Sequence, residues 1–145
     1  MSTDMSDLLG ELKLRPGATD DEIATCARGL DVQLPADYVG FLKKANGATG
    51  FIRRDRAYVD FWSTDATIES NRGYEVATYA PGLLLFGSDG GGEGFGFDMR
   101  SSPWSVVVVP FVGMSWEDAV VNGTSFLDFL ERLCAGRAPS FSRES

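Results

Sequence analysis

The sequence predicts an α+β domain: an antiparallel-rich sheet with helices packed against it. Three observations predict it. Residues 19–47 carry two apolar stripes at helical spacing, residues 58–109 carry short β-rich runs set off by a glycine-rich turn, and another helical stripe follows Ser125. The chain has 145 residues, of which 43% are hydrophobic, including 10 Phe, 4 Tyr and 3 Trp. One domain of that size and composition fills a core without staples.

The elements follow in order. Ser6 is placed to cap a short helix through Leu8, Leu9 and Leu12. Thr19-Asp20-Asp21-Glu22 fits a capping box, with acids at the positive helix end. Behind it Ile23, Cys26, Ala27 and Leu30 share one face, and Gly29 marks the expected end. Pro35 suits the entrance of the next helix. There Tyr38, Phe41, Leu42 and Ala45 repeat the spacing, and Asn46-Gly47 supplies a left-handed stop. The pattern then changes. Tyr58-Val59-Asp60-Phe61-Trp62 is β-rich, and Ser63 or Thr64 caps a brief helix through Asn71.

Leu83, Leu84, Leu85 and Phe86 lead into Gly-Ser-Asp-Gly-Gly-Gly-Glu-Gly at 87–94, and Phe95, Phe97 and Met99 alternate out of it. That predicts a hairpin whose glycines supply positive φ angles and whose phenylalanines face the core. Trp104 to Val109 is nearly continuous apolar sequence ended by Pro110, which predicts a strand buried on both faces. Ser125 with Asp128 starts the closing helix, where Phe126, Phe129, Leu130, Leu133 and Cys134 form one stripe stopped by Gly136. Residues 1–18 form an N-terminal segment, 19–136 the domain, and 137–145 a polar, frayed tail.

Composition removes several functions. The chain has no histidine, so it lacks the usual general base, the Ser-His and Cys-His arrangements, and the commonest metal ligand. Its two cysteines, Cys26 and Cys134, are far apart on apolar stripes and read as small buried hydrophobes. A net charge of -8 repels nucleic acid and favours basic partners, although solubility alone accounts for much of it. The group Arg53-Arg54-Asp55-Arg56 is too small in so acidic a chain to indicate nucleic acid. With no signal peptide and no long apolar run, a soluble cytoplasmic protein is expected.

The glycine segment is not a phosphate loop: it lacks Gly-Lys-Ser/Thr, leads into a strand, and carries Asp89 and Glu93, which repel phosphate. Residues 91–96 are similar to one calcium β-roll repeat, but the ligand Asp is missing and there is a single copy. Asp89, Glu93 and Asp98 hold a cation only if they converge. A turn with solvated acids is favoured. Trp116 with Glu117 and Asp118 is either a contact patch or a polar turn whose indole caps the core. Trp62 and Trp104 lie in strand-like runs and are expected in the core.

Four segments, in order, resemble one family. Leu34-Pro35-Ala36-Asp37-Tyr38 with Phe41, Leu42 and Asn46-Gly47 resembles its first signature. Residues 63–71 with Tyr74 and Pro81-Gly82 resemble its middle helix and loop. Leu85 to Glu93 with Phe95, Phe97 and Asp98 resembles its "G-x-D-G-G-G-E" hairpin, and Thr124-Ser125-Phe126 with Phe129-Leu130 its closing helix. This is the SUKH superfamily, which includes the yeast Smi/Knr cell-wall regulators and many bacterial immunity proteins. The resemblance covers about residues 20–134. It departs at the helix before the "LP", where the family often has a Glu and this chain has Cys26-Ala27-Arg28.

The resemblance implies an α+β fold with a mixed, largely antiparallel sheet and flanking helices. It implies a binding protein with no catalytic residue, metal or cofactor, whose partner is a protein such as a basic toxin domain. A cellular adaptor role is the alternative, and a carboxylate enzyme on a small substrate a third. The contact candidates are Asp89, Glu93, Trp116, Glu117 and Asp118. No membrane or direct nucleic-acid contact is expected, and the oligomeric state is open.

Overall fold

The computed structural model describes residues 5–52 and 57–135. Among them seven strands form one sheet, and their spatial order is their sequence order. The strands are β1 (Lys13–Leu14), β2 (Ala48–Ile52), β3 (Ala57–Phe61), β4 (Leu83–Ser88), β5 (Glu93–Asp98), β6 (Ser105–Pro110) and β7 (Val120–Val121). The α+β class is as the sequence predicts. Every described pairing is antiparallel, so no parallel pair makes the sheet a mixed one among these residues.

The helices are α1 (Met5–Leu8), α2 (Asp20–Leu30), α3 (Ala36–Lys44), α4 (Thr64–Gly73), α5 (Val76–Tyr79) and α6 (Phe126–Cys134). Three start where their caps predict. The Glu22 N–H donates to Thr19 Oγ1 at 3.1 Å, and the Thr19 N–H to Glu22 Oε1 at 2.8 Å. Ser63 Oγ accepts from the Ala66 N–H and Ser125 Oγ from the Asp128 N–H. These bonds satisfy donors the first helical turn leaves open.

Other boundaries differ. α1 stops at Leu8 with Ser6 inside it, while Leu9 and Leu12 are buried in the turn that follows. α2 runs past Gly29 and is capped by Asp31 at φ 57°, whose N–H closes onto the Ala27 and Arg28 carbonyls. α3 ends at an extended Ala45 rather than a left-handed cap. Asn46 instead caps a different helix start, accepting the Thr64 N–H at 2.8 Å. Gly47 is left-handed (φ 105°) where the chain turns into β2, and a Cβ there would come within 3.2 Å of the Phe61 carbonyl and the Ser63 nitrogen. The Arg53-Arg54-Asp55-Arg56 group, Gly136 and the tail 137–145 lie outside the described residues.

Alternation along the strands divides the apolar residues between two faces. The main core joins Val59, Phe61, Leu84, Phe86, Phe95, Phe97, Val106 and Val108 to Tyr38 and Phe41 of α3 and Phe126 and Phe129 of α6. Its aromatic rings pack mostly tilted or edge to face, Phe86 against Phe97 at 4.7 Å and Phe95 against Phe129 at 4.9 Å. The second face carries Leu83, Leu85, Val107 and Val109, covered by Val76, Ala80, Met114 and Trp116. Val106 to Val109 are therefore buried on both faces, as predicted. Trp104 falls before β6, with its ring on Phe97. A bulge between Leu85 and Gly87 shifts the register, so that Gly87 rather than Phe86 lies opposite Phe95.

Candidate functional site

The hairpin between β4 and β5 forms as predicted, but one glycine supplies its positive φ: Gly90, at 80°. Its absent Cβ leaves room for the Tyr58 ring, which a side chain there would meet at 2.5 Å. Asp89 is not a free acid. Its Oδ1 accepts the Gly91 N–H at 2.8 Å and the Glu93 N–H at 3.2 Å, so the carboxylate ties the turn together. Glu93 is half-buried at the start of β5.

Asp98 lies at the other end of β5, opposite Leu83, about 17 Å along the strand from the turn. Asp98 is thus separated from Asp89 and Glu93, and the three carboxylates do not converge on one site. Asp98 is committed to Arg100, which grips it through Nε at 3.0 Å and through a second nitrogen at 3.1 Å. That grip holds the Asp98 carboxyl below its usual value. Among the described residues no group of carboxylates and cysteines is arranged to hold a metal ion.

Trp116 belongs to that far end as well. Its indole Nε1 donates to the Pro81 carbonyl at 2.8 Å, and the Arg100 guanidinium stacks 3.5 Å above its ring. It is half-buried against the second core, so it pins the 111–119 segment to the sheet. Glu117 and Asp118 stand exposed beside it on a 3-10 turn (Trp116–Asp118). The five residues singled out from the sequence thus fall into two groups, Asp89 with Glu93 at the hairpin turn and the Trp116 group beside the opposite end.

The hairpin end carries residues that sequence reasoning did not select. Phe51 and Tyr58 are paired across β2 and β3, with rings 5.2 Å apart, and are 48% and 38% exposed. Beyond the turn, Tyr74 stacks on Phe111 at 4.4 Å, and Val112 is 92% exposed. Phe111 reaches that place because Gly94 has no side chain; a Cβ would meet its ring at 2.8 Å. The acidic turn is therefore bracketed by exposed aromatic and apolar side chains. Alternation was the available signal: if Val59 and Phe61 face the core, Tyr58, Asp60 and Trp62 face away from it.

Asp60 sits midway along this row, opposite Thr49 on one side and Ser88 on the other. Desolvation raises its pKa, against the pull of a hydrogen bond from Trp62. No cation among the described residues pairs with it.

Two concavities are also present. A groove of about 480 Å³ lies between the ends of α2 and α4, lined by Leu30, Val32, Val76, Leu83 and Met99, with Arg72 and Glu75 contributing charge. A hollow of about 160 Å³ is lined by Asp21, Glu22, Asp65 and Cys26. There burial, reinforced by Asp65, pushes the Cys26 thiol up to about 11, which makes it a poor nucleophile. Neither cysteine is in a disulfide, and no described helix is long and apolar enough to cross a membrane.

A search of curated proteins gave no match. A sequence model of the SMI1 / KNR4 family (SUKH-1) matches residues 17–132, from the approach to α2 into the last turn of α6. The match spans α2 to α5, most of α6, the glycine hairpin and strands β2 to β7, and by it the chain belongs to the SMI1 / KNR4 (SUKH-1) family.

Proposed function

We propose that this chain is a non-enzymatic binding protein of the immunity type, which neutralises a polymorphic toxin by covering its working surface. The observation that carries the binding role is the exposed row Phe51, Tyr58, Tyr74 and Val112 around the acidic turn. Aromatic anchors with adjoining charge are what protein interfaces use. Family membership supports protein binding in general, and the net charge of -8 favours a basic partner such as a nuclease domain. Contact centres on the hairpin end, with Asp89 and Glu93 steering. Trp116 serves its own fold, and Glu117 and Asp118 form a separate, secondary patch.

The test is coexpression with a toxin encoded beside this gene, read as rescue of growth, followed by association kinetics on the purified pair. Asp89→Asn keeps the turn's acceptor while removing charge. Combined with Glu93→Gln, it should slow association severalfold at low salt and flatten its salt dependence. Rates unchanged across salt would refute the steering role. Absence of any toxin gene, with a housekeeping partner bound instead, would replace immunity with the adaptor role.

A further inference from the structure

We propose that Asp60, flanked by Tyr58 and Trp62 and lying beside Phe51 on the part of the second sheet face that β2 and β3 leave open, receives an arginine side chain from a protein partner. This rests on the protein-binding role proposed above and names the chemistry of one contact.

The placement follows from strand geometry. Val59 and Phe61 are buried in the main core, so Tyr58 and Asp60 project from the opposite face. Trp62 continues that row and packs at the edge of the second core. Tyr58 and Trp62 therefore stand on either side of Asp60, each about 7 Å along the strand. Phe51 closes the site diagonally through its contact with Tyr58. The lateral neighbours, Thr49 and Ser88, are neutral. In register with Asp60 on this face is Lys13, opposite Thr49 on β1, about 10 Å away across two strand spacings.

A partly desolvated carboxylate with aromatic neighbours, held on one side by a hydrogen bond from Trp62, is set to receive a cation. A guanidinium suits it better than an ammonium does. Its planar fork bonds both carboxylate oxygens, while its faces stack on the rings. The chain itself shows that chemistry at its far end, where Arg100 grips Asp98 and lies on Trp116.

The probe is a blocked Gly-Arg-Gly-Arg-Gly peptide, titrated into the full chain and followed by amide and indole NMR. Its citrulline analogue keeps shape and hydrogen bonding but loses charge. Saturable shifts at Tyr58, Asp60 and the Trp62 indole are expected with arginine, and at least about fivefold weaker binding with citrulline. Asp60→Asn and, separately, Phe51→Ser should weaken the arginine peptide, while Glu117→Gln should not. Equal binding of the citrulline peptide, undiminished binding by Asp60→Asn, or shifts confined to the Asp89 turn would overturn the assignment. A toxin that binds tightly yet ignores Asp60→Asn overturns this contact alone. A probe that docks at Asp60 in a chain with no toxin partner leaves the contact standing and removes the immunity role.

Discussion

Three aspartates differ in what they do for stability. The Asp128 carboxylate accepts from the Thr124 N–H at 2.8 Å and from Arg132 Nε at 3.0 Å, and these bonds lower its pKa, the Thr124 bond most. Asp98 is lowered by Arg100. A lowered carboxylate stabilises the fold fully above its unfolded value, about 3.9, and the contribution is lost as pH falls through the folded value. Asp60 has the opposite sign: its raised folded value means that ionisation costs stability, and the cost grows as pH rises from about 3.9 through that value. At pH 7, Asp60→Asn should therefore raise the melting temperature, and Asp128→Ala should lower stability by about 1 kcal/mol, the usual worth of a helix-terminal acceptor. Thermal scans of both variants at pH 7 check the pair. A lower melting temperature for Asp60→Asn would show that the residue supports the fold rather than burdening it. A residue kept at some cost to stability fits a site retained for binding.

At the scale of the element, the β4–β5 hairpin separates two uses of glycine. Gly90 needs its positive φ, and Gly94 and Gly96 need their lack of a side chain. A Cβ on Gly96 would come within 2.8 Å of Leu83 and 2.9 Å of the Leu84 carbonyl, whereas one on Gly92 would meet nothing within 4 Å. Gly96→Ala should cost about 1–3 kcal/mol, and Gly92→Ala should be neutral or slightly stabilising, as denaturant melts would show. Comparable losses at both positions would mean that the turn is strained throughout. The hairpin was legible in the sequence because an apolar run, a glycine cluster and an alternating run leave few other folds. Its division of labour was not, since close packing depends on Tyr58 of β3 and on Phe111 just after β6. Local caps such as Thr19 and Ser125 were equally legible, being contained within four residues. The end of α3 was missed because Asn46 bonds to Thr64, far along the chain. How Trp116 is anchored was not legible for the same reason, its partners being Pro81 and Arg100. The exposed aromatic row was overlooked because β-rich sequence says which residues form a strand, and only its neighbours say which face is covered.

For the whole molecule, charge works against compactness. The described ion pairs are Lys43 with Asp20, Arg100 with Asp98 and Arg132 with Asp128, all at least partly solvated. Such pairs contribute little. A net charge of -8 on a chain this short adds diffuse self-repulsion. Screening should relieve it, so the melting temperature should rise between low salt and about 0.2 M sodium chloride, where the Debye length is under about 10 Å. A fall over that range, measured by calorimetry, would mean that specific pairs outweigh the repulsion. A basic partner of the kind proposed above would relieve the same charge that loosens the free protein, which would couple affinity to stability.

The strand order has a consequence for how the chain is made. Each strand lies beside the one synthesised just before it, so the sheet can extend in the order of translation, across the helical connections α2–α3 and α4–α5 as well as the tighter turns. The main core cannot be sealed on that schedule. Phe126 and Phe129, which close over Phe61, Phe86 and Phe95, belong to the last described helix. Until α6 is made, α3 covers only part of that face, and the aromatic surface under Phe126 and Phe129 stays exposed, the kind of surface that makes a partly folded chain prone to aggregate.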